Sequence, residues 1–374
     1  MPPKIVPGWR WRMRFGAGYV TGFRSTTGPL TAVFDVTTHC NLHCFACPRH
    51  APGVRKADAP GGHFPWPLFQ RLCPELAALG ARKLVFVGQG EPLLHPKLPD
   101  MVRLAKQCGF HLILVTNGTL LDGRIADACL EAPVDHLRIS LWASSVEEYA
   151  KNCAGKDAHL FHSVVEALKT IARRRRERGS RSPWLTLHRP VDRESFRNLD
   201  GMIDLARETG CDGLSFVPLR PASGAHHERG LAPQEEGELV PLLRRIDERA
   251  RSLGLATNVP ETIERLRIGE DVWKTVPCYM GWLSMRFRAN GEVVRAAYVG
   301  SRSATSMIPP LRRSGTARAT SVSAPPAAAK KTSRAWLRAA TVATAATSSR
   351  TRACTGSCAG FRSSRGFGAS RGTW

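Results

Sequence analysis

The chain has 374 residues, 43% of them hydrophobic, and a formal net charge of +23. That length buries one large core or two modest ones, and with no run of 18 apolar residues no membrane span is expected. Residues 301–374 hold 13 Lys and Arg and no acid, so more than half of the charge excess sits in the tail and does not mark the chain as a nucleic-acid binder.

Residues 1–27 are an N-terminal extension. Its opening, MPPKIVPGWRWRMRFGAGYV, has no apolar stretch followed by a small-residue cleavage site, so no secretory signal is expected. The alternation Trp9-Arg10-Trp11-Arg12-Met13-Arg14-Phe15 is expected to pack its apolar side onto the domain. Eleven cysteines, an odd number, do not make a disulfide framework in a chain this long. Reduced thiols in the cytoplasm, some of them metal ligands, fit better.

From residue 31 to about 220, short apolar runs alternate with longer amphipathic ones. The runs 31–37, 83–88, 111–116, 136–141, 184–188 and 213–218 are expected strands. Helical periodicity falls near 66–79, 97–108, 121–131, 145–152, 160–178 and 196–209, with a further helix over 234–253. Six β/α units in succession predict a parallel sheet covered by helices, and six fall short of the eight of a closed barrel. The expected fold is therefore α/β: a (β/α)6 partial TIM barrel over 28–255, followed by a small irregular C-terminal extension. Functional residues are expected where the strands end. The basic run Arg173-Arg174-Arg175-Arg176-Glu177-Arg178 closes a helix, where cations complement the dipole, and reads as a solvated face.

Directly after the first strand, HCNLHCFACPRH packs three cysteines and three histidines into residues 39–50. Cys40, Cys44 and Cys47 can hold three irons of a cubane cluster and leave the fourth open. A structural zinc site needs four closed ligands, and His39, His43 or His50 can supply the fourth, so the motif alone leaves both metals open. After the second strand comes Gly88-Gln89-Gly90-Glu91-Pro92, whose bare carbonyls and carboxylate suit an ammonium group. After the third comes Val115-Thr116-Asn117-Gly118, whose side chains suit a ribose or a carboxylate.

In that order and at strand ends, CNLHCFAC, GQGEP and VTNGTLL resemble the radical S-adenosylmethionine (SAM) superfamily, over about residues 28–220. The resemblance implies that Cys40, Cys44 and Cys47 bind a [4Fe–4S] cluster whose open iron chelates SAM. It implies that Gly88, Gln89, Gly90 and Glu91 contact the methionine ammonium, with Thr116 and Asn117 near the nucleoside or methionine. The strand ending Arg138-Ile139-Ser140-Leu141 makes Ser140 a cofactor-contact candidate. The implied activity is reductive cleavage of SAM to a 5′-deoxyadenosyl radical, which abstracts hydrogen from a peptide or small-molecule biosynthetic intermediate. Oxidation, epimerisation or crosslinking would follow, in a natural-product pathway served by a reductant such as flavodoxin or ferredoxin. Where the family carries an aromatic before the third cysteine, this chain has Ala46, with Phe45 one position earlier.

His188 and Arg189 after the fifth strand and Arg220 after the sixth are candidates for an anionic or polar substrate. Cys73, Cys108, Cys129 and Cys211 read as small buried hydrophobes, and Cys153 shows no ligand partner at a recognisable spacing. Residues 256–295 are expected to be a linker and a hairpin turning at Asn290-Gly291. Together with Cys278, this hairpin resembles the start of a SPASM or twitch extension, which implies an auxiliary iron–sulfur cluster. The next cysteine of that pattern is missing, because Ala296 stands in its place. Residues 296–374 are a low-complexity basic tail, expected to be disordered or read in a shifted frame. Two rivals remain at this point. One is a molybdenum-cofactor-type cyclase of the same superfamily, which the chain's ending Arg371-Gly372-Thr373-Trp374 disfavours. The other is a zinc-dependent nucleic-acid-binding protein.

Overall fold

All six apolar runs form strands, and they lie side by side in chain order. In the computed structural model, which describes residues 13, 28–52, 62–121, 123–153, 158–219, 229–268 and 283–295, these are Thr31–Asp35 (β1), Lys83–Val87 (β2), His111–Thr116 (β3), His136–Ser140 (β4), Trp184–Val191 (β5) and Gly213–Pro218 (β6). Every neighbouring pair among the six is parallel. Between them run helices Trp66–Ala78 (α1), Leu98–Gln107 (α2), Gly123–Glu131 (α3), Val146–Cys153 (α4), Ala158–Glu177 (α5) and Asp200–Glu208 (α6), and Pro233–Ser252 (α7) follows β6. A parallel pair needs a crossover of this length, so the βα alternation of the sequence dictates the architecture.

The two-residue period of each strand separates two environments. One face carries Phe34, Leu84, Phe86, Leu112, Leu114, Leu137, Ile139, Leu185, Leu187 and Phe216, all with no solvent exposure. Against it pack the apolar stripes of the helices, including Phe69 and Leu76 of α1, Met101 of α2, Leu168 of α5 and Met202 of α6. Each such Phe or Leu contributes roughly 1.5–3 kcal/mol by leaving water. Phe34 sits at the centre of an aromatic cluster, with Phe64 and Phe69 edge-on at 5.2 Å. The other, inner face is half-buried and mixed in character, carrying Val85, Val115, Arg138, Ser140, His188 and Ser215.

The sheet is larger than six strands. Ala256–Thr257 (β7) extends it beside β6, Ser284–Phe287 (β8) pairs parallel to β1, and Val293–Arg295 (β9) returns antiparallel to β8. The order is β7-β6-β5-β4-β3-β2-β1-β8-β9, and the ends do not meet, so the barrel is partial and open. The hairpin expected around Asn290-Gly291 forms as β8–β9, with Gly291 at φ +82° and the Asn290 side chain accepting from the Glu292 amide. Its first strand joins the core sheet: Phe287 stacks on Phe34 at 4.6 Å, and Arg286 makes a bidentate pair with the fully buried Asp35.

The stretch 256–268, read from sequence as linker, contains β7 and a helix, Val259–Ile268 (α8). Asn258 accepts from the Phe216 amide and donates to the Phe216 carbonyl, mimicking a strand residue where the backbone pairing stops. In the basic run, Arg175 is turned inward onto Asp212 and the Pro183 carbonyl, while Arg173 and Arg174 pair with Glu177 and Asp127 on the surface. No helix among the described residues is long and apolar enough to cross a membrane. Arg220, Cys278 and the tail from 296 onward lie outside the described residues.

Candidate active site

Three loops leave the C-terminal ends of β1, β2 and β3 and are laced together. The cysteine loop follows β1. Its backbone continues alongside the β2 loop, because the Gly90 amide donates to Thr37 O at 3.1 Å and the Glu91 amide to His39 O at 2.7 Å. This approach requires glycine. A Cβ on Gly90 would stand 1.9 Å from the His39 carbonyl oxygen, and one on Gly88 would stand 2.3 Å from Gly90 O.

Glu91 ties the second loop to the third. Its Oε1 accepts from the Leu93 amide at 3.0 Å and the Thr116 hydroxyl at 2.5 Å, and its Oε2 from the Asn117 amide at 2.7 Å. The side chain is 2% exposed, and burial pushes its pKa up to about 7 against the pull of these donors. Glu91, expected from the resemblance to touch the cofactor, therefore directs its carboxylate into the fold. Its backbone neighbours Gly88, Gln89 and Gly90 are the part of the loop left half-exposed. Thr116 is likewise committed, donating to Glu91 and accepting from the Gly118 amide.

The third side of the triangle joins the TNG turn to the cysteine loop. Asn117 Nδ2 donates to Asn41 Oδ1 at 3.0 Å, and Asn41 Nδ2 donates to the Thr119 hydroxyl at 2.8 Å. Gly118 holds the turn at φ +81°. Sequence reasoning passed over Asn41 and Thr119, which only the spatial closure of the loops reveals. His50, which the sequence offers only as a fourth zinc ligand, is a fastener. Its amide lies 3.3 Å from Cys47 Sγ as donor, and its Nε2 lies 2.8 Å from the Gln89 carbonyl oxygen.

The thiols of Cys40, Cys44 and Cys47 are partly buried. Burial pushes Cys40 up to about 12 and raises Cys47, while the amides of Arg49 and His50 draw Cys47 back down. Metal binding must therefore displace protons. Cys44 is raised first by a hydrogen bond with Cys153, which the sequence left without a partner. Tyr149 of α4 lies in the field of Cys40, Cys44 and Cys153, and its hydroxyl is buried without a hydrogen-bond partner among the described residues.

These observations test whether a cluster fits. Three thiols on one loop, an amide already donating to one sulfur and an orphaned hydroxyl beside them suit a polar, sulfur-bound group. Among the described residues no three His, Cys, Asp or Glu side chains converge closely enough to hold a single ion. A closed zinc knot gathers four ligands around one ion, whereas a cluster takes each thiolate on a different iron.

Farther along the sheet edge, Ser140 accepts from the Trp142 indole at 2.8 Å, and Trp142 meets Phe45 edge-on at 5.8 Å. The Arg229 guanidinium covers the Phe45 ring at 3.8 Å while its Nε donates to Asp192. Phe45 thus packs against Trp142 and Arg229. His188 is half-buried on the inner face, 3.3 Å from the Ser215 hydroxyl. Burial and the nearby Arg138 charge push its pKa down to about 4.

Arg189 is a correction. The sequence reading stopped the fifth strand at 188 and sent both residues to the open edge. The strand runs on to Val191, so adjacent side chains take opposite faces. Arg189 is 1% exposed and forms a bidentate pair with Glu148 of α4, with Nη1 2.9 Å from Oε2. It holds the helix to the sheet and does not face a substrate.

Several known proteins are similar to this chain. The chain is 27% identical over 191 residues to the tungsten-containing aldehyde ferredoxin oxidoreductase cofactor-modifying protein of Pyrococcus furiosus, covering 50% of this chain and 51% of that protein. It is 41% identical over 140 residues to GTP 3′,8-cyclase of Chlorobaculum tepidum, covering 36% and 39%. It is 27% identical over 225 residues to PqqA peptide cyclase of Gluconobacter oxydans, covering 60% and 57%. The chain thus spans less than two thirds of the length of each of these relatives. Streptococcus suis SuiB bound to S-adenosylmethionine has a similar fold, with a TM-score of 0.58 at 14% identity over 78% of this chain and 65% of that one. The model of the Radical SAM superfamily matches residues 34–199, from β1 through the loop before α6, and leaves Cys278 and the β8–β9 hairpin outside. The domain that carries the cysteine, GQGEP and TNG loops belongs to the Radical SAM superfamily.

Proposed function

We propose that the protein binds a [4Fe–4S] cluster through Cys40, Cys44 and Cys47, binds SAM beside it, and abstracts hydrogen from a peptide or small-molecule biosynthetic intermediate, as an oxidoreductase in the broad sense. The observation that carries this reading is the closed lacing of the three loops through Glu91, Asn117, Asn41 and His50. When bound and reduced, the cluster and SAM together supply a primary carbon radical strong enough to attack an unactivated C–H bond.

The chain's own residues provide position and seclusion. The half-exposed backbone of Gly88, Gln89 and Gly90 offers carbonyls to the methionine ammonium, with Glu91 holding that loop in place. Thr116 fixes the TNG turn, and Asn117 and Ser140 stand at neighbouring strand ends for the nucleoside or carboxylate. The inner face, with His188, lies below them for the substrate. The peptide part of the proposal draws on the likeness to PqqA peptide cyclase. The likeness to GTP 3′,8-cyclase favours a second reading, a cyclase acting on a nucleotide.

Electrons would come from a flavodoxin or ferredoxin, and the cytoplasm is the compartment that suits the free thiols. Beyond the matched domain, the β8–β9 hairpin and Cys278 are proposed as the start of a SPASM or twitch extension with an auxiliary cluster. Arg220 is kept as a substrate candidate. The test is anaerobic reconstitution with iron and sulfide, then SAM and dithionite with detection of 5′-deoxyadenosine. A Cys44→Ala variant that still cleaves SAM fully would overturn the ligand assignment.

A further inference from the structure

Among the described residues, the inner face of the sheet carries a half-buried arginine without an acid partner. Arg138 stands in the middle of β4, opposite Thr186 of β5, with Ser140 next on the same face. Its Nε is buried with no hydrogen-bond partner, and its guanidinium has no acceptor or ion-pair partner among the described residues. Among the described strand residues of this face the acid is Asp35, and it is paired with Arg286. Burial lowers the Arg138 pKa and no acid opposes it; Lys83 and His188 are lowered first by burial and then by the Arg138 charge.

A guanidinium whose Nε is buried without an acceptor is costly, because the group cannot shed its proton to escape. The more deeply buried arginines of the described fold have acid partners: Arg175 has Asp212 and Arg189 has Glu148. Around Arg138 the neighbours are hydroxyl and imidazole groups. Ser140, His188 and Ser215 stand side by side in register across β4, β5 and β6, one step (about 7 Å) toward the loops. A planar two-oxygen anion is what a guanidinium fork flanked by hydroxyls and an imidazole accommodates.

We propose that Arg138, with His188 and Ser215, forms a subsite on the inner face of β4–β6 that binds a carboxylate of the substrate. The proposal rests on the radical SAM reading and narrows its substrate class to carboxylate-bearing molecules, among them peptides with an acidic side chain. SAM also carries a carboxylate, so the test separates the two sources.

The full chain, reconstituted anaerobically with iron and sulfide, is titrated calorimetrically with glutarate, its diamide and S-adenosylhomocysteine. Saturable glutarate binding is expected, with none for the diamide. Arg138→Gln should weaken glutarate at least tenfold and leave S-adenosylhomocysteine within twofold. Arg138→Lys keeps the charge but loses the fork, should weaken glutarate several-fold, and serves if the Gln variant does not fold. No glutarate binding by the wild type, or equal binding by wild type and either variant, overturns the subsite. A tenfold loss of S-adenosylhomocysteine in Arg138→Gln assigns the carboxylate to the cofactor and overturns it as well. Failure of the wild type to form 5′-deoxyadenosine from SAM is a separate result, which removes the radical SAM reading whatever glutarate does.

Discussion

Glu91→Gln separates the two things that the Glu91 carboxyl does. In the fold its pKa is pushed up to about 7, from an ordinary value of 4.5, by complete burial. Between those values the native state holds a proton that the unfolded chain has released, so stability falls as pH rises through the window. The wild type should therefore lose about 2–3 kcal/mol between pH 5 and pH 8 from this group alone. A glutamine cannot ionise and loses that slope. It also places an amide donor where Oε2 accepts from the Asn117 amide at 2.7 Å, which costs about 1–3 kcal/mol at every pH. The two effects cross: the variant should be less stable than the wild type at pH 5 and as stable or more so at pH 8. Urea unfolding of the metal-free chain at pH 5, 6.5 and 8 measures the difference. Parallel stability curves for the two proteins would refute the reasoning, since they would mean that Glu91 ionises as it does in water.

Three other perturbations test separate parts of the account. Gly90→Ala places a Cβ 1.9 Å from His39 O, so the cysteine loop must shift; a loss of about 1–3 kcal/mol in urea unfolding and reduced iron content on reconstitution are expected. Glu148→Gln removes the charge that faces the 1%-exposed Arg189, and thermal unfolding should show a loss of about 3–5 kcal/mol, against little change for an exposed pair such as Arg267–Glu264. His188, with its pKa pushed down to about 4, binds protons less readily when folded, so its stabilising contribution is present above pH 6.5 and lost as pH falls toward 4. NMR of labelled imidazole should show it neutral at pH 5.5, and an ordinary titration near 6.5 would contradict its placement.

The strands were legible because burial on both faces, or alternation between them, writes itself into five or six consecutive residues. β3 and β6 match the expected spans residue for residue, and the others differ only at their C-terminal ends. β7 is two residues long and α8 follows it directly, which is too little periodicity to read. β8 was legible as half of a hairpin, but its partner is β1, about 250 residues away in the chain, and no local pattern announces the Asp35–Arg286 pair. The site divides in the same way. Cysteine spacing and glycine turns are local and were readable. The roles of Asn41, His50, Tyr149 and Cys153 exist only once loops from different strands meet. Arg189 was misplaced by three residues of strand length, and the same parity argument, applied to β4, would have marked Arg138 as the partner of Ser140 on the inner face.

The most direct test of the central claim is the reduction of SAM by the anaerobically reconstituted protein. The account predicts a brown protein with four irons and four sulfides per matched domain (about eight of each if the auxiliary cluster forms), which releases 5′-deoxyadenosine when given SAM and dithionite. Loss of the iron and of the product is expected in Cys40→Ala, Cys44→Ala and Cys47→Ala alike. A colourless protein that holds zinc and forms no 5′-deoxyadenosine would contradict it.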